Sequence, residues 1–343
     1  MIRTLAVAAF AVAVVGSDGH AAGPETRVLS FDELDGWAAD NHDAALTAFK
    51  ETCGDLPDPD WKSLCRLAKD HDQGRAFFEL FFRPVLIGGD NPALFTGYFE
   101  PELNGSRQKS GRYRYPLYKL PREWRGGGRF ATRSQIEDEG LLAGRGLEIA
   151  WVDDPVDVFF LQIQGSGRVK LAEGGALRVG FGGANGHNYR SVGQELVRRG
   201  IYNSHQVSAQ VIKNWVRRNP VAGRNLLQHN PSYVFFREVS QVPAHKGPLG
   251  AMNRSITTMR SIAVDPKFTP LGAPVWIEKY GKGPLRRLMI AQDTGSAIKG
   301  VQRADIFYGT GADAGRTAGQ VKDPGRLVVL LPIQRAFAMA LEG

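Results

Sequence analysis

Cysteine and histidine are scarce in this chain of 343 residues: there are two cysteines and seven histidines, and the histidines stand singly. No metal-ligand spacing results, so no metal site is expected. Long apolar runs are equally rare. The run from Leu5 to Val15 is too short to span a bilayer comfortably, so a membrane-spanning helix is not expected. No internal repeat is visible, and basic residues occur in isolated pairs such as Arg198 and Arg199 rather than along one dense face, which speaks against a nucleic-acid partner.

What the chain does have is apolar content of 43 %, enough over 343 residues for one large or two medium domains. It begins with Arg3, the apolar run and then small residues up to Ala21 and Ala22, the order of a secretory signal peptide spanning residues 1–22. A lipid anchor needs a cysteine just after such a run; the two present are Cys53 and Cys65, so a soluble periplasmic protein is expected, loosely associated at most with the wall or outer membrane. Those two cysteines bracket a short segment. A disulfide is allowed in an oxidising compartment, and two buried free thiols are the alternative; either role is structural. The formal net charge of +8 favours polyanionic surroundings, for which an anionic cell-wall polymer suits an exported protein.

Ser30 with Glu33 reads as a capping box opening a helix through Leu34, Trp37 and Ala38. Further helices are expected at 43–52, 74–82, 190–200 and, after a cap at Ser204, 206–218, with a short one before Pro231. The segment from 147 to 189 reads as strand after strand, broken by Asp-Asp-Pro, Gly-Ser-Gly and Gly-Gly; a strand through Phe160–Gln164 would set Gln162 and Gln164 on one face. Residues 232–238 and the final apolar run 326–332 are expected to be strands. Arg286–Tyr308 reads as two strands with Asp293 and Asp305 at their ends, and Asp265 closes a third before Pro266.

An aspartate at a strand end is commonly a turn residue, since its carboxylate accepts nearby backbone N–H bonds. The text around these three, residues 247–278 and 292–311, closely resembles the C-terminal three-aspartate region of the membrane-bound lytic murein transglycosylase A family. The segment Thr96-Gly97-Tyr98 resembles another family motif, with Phe99 where tyrosine is common, and the likeness extends from Phe95 to Pro332. The resemblance implies a mainly β fold with peripheral helices: a discontinuous double-psi β-barrel from 23–103 and 239–343, an inserted β-rich substrate domain at 104–238, and a cleft between them. It implies that Asp305 is the catalytic acid and that Gln162, Gln164 and Ser166 line the groove. Thr96 and Tyr98 lead into it.

In such enzymes the bond between N-acetylmuramic acid and N-acetylglucosamine is cut without water. One carboxyl group protonates the leaving oxygen, then takes the proton of the substrate's own C6 hydroxyl as a 1,6-anhydro ring closes. Asp305 must then stay protonated near neutral pH, and Asp293 is the candidate like charge that would keep it so. Asp265 is assigned to holding loops, and Lys299 to orienting substrate. No cofactor is needed; peptidoglycan strands are the expected partner, with wall-synthesis proteins as further candidates. Two rivals are a wall-glycan-binding module without activity, which the presence of Asp305 disfavours, and an aspartic protease suggested by Asp293-Thr294-Gly295. The protease would require two such signatures sharing a proton, and the sequence carries one.

Overall fold

The computed structural model describes residues 24–55, 59–124, 128–243, 246–295 and 297–342. The signal peptide expected over 1–22 lies outside them. Strand β1 (Thr26–Val28) leads to the Ser30 capping box, where the Ser30 N–H donates to Glu33 Oε2 at 2.7 Å. The expected single helix is instead two 3-10 turns, Phe31–Glu33 and Trp37–Ala39, because Gly36 between them sits at φ 76°, outside any right-handed helix. Helices α1 (His42–Cys53), α2 (Pro59–Asp70) and α3 (Gly74–Phe81) follow. Asn41 caps α1 by accepting from the Ala44 N–H. Phe49 of α1 is fully buried, packed against the rings of Trp61, Phe77, Phe78 and Phe82. Cys53 closes α1 and Cys65 lies within α2, and the two are joined as a disulfide.

Strands β2 (Phe82–Ile87) and β3 (Ala93–Glu100) come next, and the chain then crosses at Pro101 into a second sheet. That sheet contains β4 (Glu102–Ser106), β5 (Tyr115–Tyr118), β6 (Glu148–Val152), β7 (Gly167–Leu171), β8 (Ala176–Ala184) and β9 (Val234–Glu238), in the order β5-β6-β4-β7-β8-β9. Around it lie α4 (Arg133–Asp138), α5 (Pro155–Gln164), α6 (Val192–Arg198), α7 (Ala209–Arg218) and α8 (Pro220–Gln228). Two expectations need correction here. Residues 155–164 are a helix and not a strand: the Asp154 carboxylate caps it through the Val156 N–H, Pro155 sits at its first turn, and Gly165 ends it at φ 77°. Helix α7 is capped by Ser208, while Ser204 heads a separate 3-10 turn.

The chain returns through β10 (Ser261–Val264), β11 (Pro274–Lys279), β12 (Leu285–Asp293), β13 (Arg303–Thr310), α9 (Ala312–Ala318), β14 (Lys322–Pro332) and α10 (Ile333–Glu342). Pairings run β14-β11-β12-β10-β13-β3, and β3 pairs back to β14, closing a six-stranded barrel to which β2 and β1 add outside. Two pairs are parallel, β10 with β12 and β13 with β3. The fold is thus mainly β with peripheral helices, a double-psi barrel joined to a second β-rich part. Strands β11 and β14 read as continuous apolar runs because both faces are covered, by the barrel interior and by the outer helices; Val275, Trp276, Ile277 and Val328 to Leu331 are all buried. At Gly325 a Cβ would lie 2.0 Å from the Glu278 carbonyl oxygen, so β14 can pass from β3 to β11 only with glycine there.

Candidate active site

The three strand-end carboxylates have two different fates. Asp265, just past β10, accepts the Lys267 N–H at 3.2 Å and the Gly300 N–H at 2.9 Å. The Gly300 bond is the main reason its carboxyl sits below the usual range, and the Lys299 ammonium adds to it. Asp265 therefore pins the loop around Gly300 to the barrel as an anion. Lys299 is exposed and its charge acts on Asp265.

Asp293 and Asp305 instead share one level of the barrel wall. On β10, Ala263 is registered with Asp293 of β12 on one side and with Asp305 of β13 on the other, a bulge in the first pairing bringing Asp293 into line. Asp305 is in turn registered with Thr96 of β3. The Thr96 hydroxyl donates to Asp305 Oδ1 at 2.6 Å and accepts from Arg303 Nη2 at 2.8 Å. Tyr98, two residues along the same face of β3, reaches across to donate its hydroxyl to Asp293 Oδ2 at 3.0 Å. Asp293 Oδ1 accepts the Thr294 and Ala251 N–H groups at 2.9 and 3.0 Å. Gly97 between the two contact residues is obligatory: a Cβ there would lie 2.8 Å from Ala318 Cα and 2.9 Å from the Tyr308 ring.

Both carboxyls hold their protons more tightly than in water, and burial is the leading cause for each. Asp293 is pushed up to about 6; its hydrogen bonds oppose the rise and the Asp305 charge adds the last part. Asp305 is also raised, against the Thr96 bond and the Arg303 charge. This corrects one expectation: what raises Asp305 is burial, and the like-charge effect runs from Asp305 onto Asp293. Burial and the two carboxylates together lift the Tyr98 phenol well above its ordinary value, which keeps it a donor. Asp305, Asp293, Thr96 and Tyr98 are all partly exposed, so the row remains open to a ligand. Cavities of about 340 and 500 Å³ lie elsewhere, beside Met259 and Leu285 and beside Lys50 and Arg254.

From the second sheet, Gln164 at the end of α5 accepts the Phe99 N–H at 3.3 Å, and Ser166 is partly exposed two residues on. Gln162 does not share their face, because two residues on a helix are about 200° apart. It is buried, accepting from the Arg133 guanidinium, which is itself stacked between Phe159 and Tyr233. Gln162 thus supports the sheet's interior instead of lining a groove. Sequence reasoning passed over Arg303, although it stands two residues before Asp305 on one strand and period-two alternation would have put it on the same face. It also passed over the Ala251 N–H, which nothing in the sequence marks. Among the described residues no group of three His, Cys, Asp or Glu side chains could hold a metal.

Comparison with known proteins adds to this geometry. Residues 94–237 match the family model described as MltA specific insert domain, and residues 260–331 match the 3D domain. The membrane-bound lytic murein transglycosylase A of Vibrio cholerae is 35 % identical over 254 residues, covering 71 % of this chain and 67 % of the relative. Among solved structures, a membrane-bound lytic murein transglycosylase from Agrobacterium tumefaciens superposes with a TM-score of 0.80 at 32 % identity, over 91 % of this chain and 99 % of the other. Escherichia coli MltA with bound chitohexaose gives 0.74 at 26 % identity, over 90 % and 94 %.

Proposed function

The chain belongs to the membrane-bound lytic murein transglycosylase A family, and from that premise we propose that it is a lytic transglycosylase of peptidoglycan turnover, with Asp305 as its proton carrier. It cleaves the β-1,4 bond between N-acetylmuramic acid and N-acetylglucosamine and leaves 1,6-anhydromuramoyl ends. The observation that carries the assignment is the surroundings of Asp305: a partly exposed carboxyl, raised by burial, held by one hydroxyl at 2.6 Å and flanked on the barrel wall by a second carboxyl. A neutral Asp305 protonates the glycosidic oxygen, and the aspartate that results accepts the C6 hydroxyl proton as that oxygen closes on C1. The attacking group is already tethered to the reacting carbon, so no water need be fixed in place.

Asp293, held by three donors, stays ionised near neutral pH and stabilises positive charge developing at C1. Gln164 and Ser166 bind sugar hydroxyls or acetamido groups from the second sheet, and Thr96 and Tyr98 set the two carboxyls. The catalytic domain is the barrel built from both ends of the chain, and the insert binds the strand; the insert starts at β4, just after Pro101, slightly earlier than the expected boundary at 104, and ends with β9 at Glu238. None of the described helices is long and apolar enough to cross a membrane. The basic net charge of +8 and the leader-like first 22 residues support a periplasmic site of action next to the anionic wall.

A second assignment is favoured by one observation. Asp293, at about 6, has itself the proton affinity of a working acid. Digestion of purified sacculi by Asp305→Asn and by Asp293→Asn separates the two. Asp305→Asn is expected to bind glycan and release no anhydromuropeptides; residual turnover there with complete loss in Asp293→Asn would exchange the roles. Products heavier by one water, with a reducing end, would mean hydrolysis and overturn the reaction type.

A further inference from the structure

We propose that Arg303, with Lys322 beside it, is a receptor for a carboxylate of the glycan substrate, set on the barrel wall next to Asp305. The proposal rests on the function just argued and deepens it to a specificity. Five adjacent strands carry one lateral row, Asp293, Ala263, Asp305, Thr96 and Lys322, each in register with the next. Registered neighbours project from the same side of a sheet, and Arg303, two residues before Asp305, projects there too. Its reach to Thr96 Oγ1 agrees with that placement.

Arg303 Nη1 donates to the Leu94 and Ala304 carbonyl oxygens at 3.2 and 2.5 Å, and Nη2 gives one hydrogen to Thr96 at 2.8 Å. The Nε–H and the second Nη2–H have no partner among the described residues, and neither Arg303 nor Lys322 forms an ion pair there. A half-buried guanidinium is ordinarily matched to a carboxylate or phosphate, whose two oxygens fit its fork. The carboxyl closest to Arg303 in the row is Asp305, one hydroxyl away. It is bonded to the Thr96 hydroxyl and not to the guanidinium, so among the described residues no carboxylate meets the Arg303 fork directly. The sugars of a murein strand are uncharged apart from the lactyl acid of muramic acid and the acids of the stem peptide. A carboxylate from one of these is therefore the missing anion.

Position agrees with this chemistry. Along β3 the second sheet meets the barrel at Phe99, through Gln164, roughly 10 Å beyond Thr96. Arg303 lies the other way, registered with Leu94. A sugar seated over Asp305 would thus have Gln164 and Ser166 on one side and the guanidinium on the other.

The test is binding to Asp305→Asn, which cannot turn substrate over, alone and combined with Arg303→Gln, Arg303→Lys or Lys322→Gln. The ligands are an uncharged N-acetylglucosamine hexamer, peptide-free glycan strands with free lactyl acids, the same strands methyl-amidated, and strands carrying stem peptides. Amidation is expected to weaken binding about tenfold when Arg303 is present and to have no further effect once it is Gln, with Arg303→Lys between. Lys322→Gln, at an exposed position that cannot unfold the barrel, is expected to cost about threefold on charged strands only. Coupling to the lactyl acid supports the proposal with that source; coupling only to peptide-bearing strands supports it with the stem acids. Equal losses on the uncharged hexamer and the charged strands would overturn it, since Arg303 would then merely prop Thr96. If the Asp305→Asn parent binds none of the ligands, the failure belongs to the proposed function itself.

Discussion

Asp293 and Asp305 stand on opposite flanks of the same residue, Ala263, so two carboxyls 12 residues apart in sequence are separated by the width of one strand. Their surroundings differ. Among the described residues Asp293 accepts from two backbone N–H groups and the Tyr98 hydroxyl, whereas Asp305 accepts from Thr96 alone, with a guanidinium behind it. Burial raises both, and hydrogen bonds to the charged form draw each part of the way back.

Removing the Tyr98 hydroxyl tests that balance. Its bond favours ionised Asp293, so Tyr98→Phe should raise the Asp293 carboxyl above its present value of about 6. The acid limb of the pH–rate profile is then expected to move to higher pH by roughly half a unit to one unit. An unmoved limb in an otherwise folded variant would show that Asp293 does not govern it.

The same burial has a stability signature. A carboxyl whose folded value of about 6 exceeds its unfolded value favours folding at low pH and loses that contribution as pH rises through 6. Asp293→Asn removes the cost of ionising it, so the variant should be more stable than the parent at pH 8, by up to about 3 kcal/mol, and no more stable at pH 4. Thermal melts at the two pH values check this. A destabilisation that is equal at both would mean the carboxylate serves as an obligatory loop anchor.

Glu100, at the end of β3, is fully buried and ion-paired at 2.9 Å to both Arg168 of β7 and Arg178 of β8, while the Thr310 hydroxyl of β13 donates to it at 2.8 Å. It thereby ties the barrel to the second sheet at the Pro101 crossover. Glu100→Ala leaves two guanidiniums without their anion and is expected to cost about 3–5 kcal/mol in urea unfolding. A loss under about 1 kcal/mol would show that the sheets hold together without it.

The Cys53–Cys65 disulfide closes a loop with a sequence separation of 12. Cys53→Ser with Cys65→Ser should lower stability by about 3 kcal/mol, and a thiol reductant should lower the parent to the same level while leaving the double variant unchanged. A reductant effect on the double variant would place its action elsewhere.

Much of this was legible in the chain. Runs such as 326–332 announce buried strands because both faces must be apolar, and the spacing of Asp265, Asp293 and Asp305 after short β-branched segments marks strand ends. Helix α5 was not legible as a helix: its Val, Phe and Ile residues have strand propensity, and only the caps at Asp154 and Gly165 argue otherwise. Nor could one read that Gln162 turns inward to Arg133 while Gln164 reaches Phe99.

Local pattern in the chain was enough to mark the carboxylates able to carry a proton and the apolar barrel strands such as 326–332, since these are properties of side chains and their alternation. Only the tertiary structure decided that Asp305 and Asp293 flank Ala263, that Thr96 and Tyr98 from a strand some 200 residues earlier complete them, and that burial holds their protons. Desolvation is a sum over every atom packed around a group, and the closing of β3 against β13 and β14 brings those atoms from both ends of the chain.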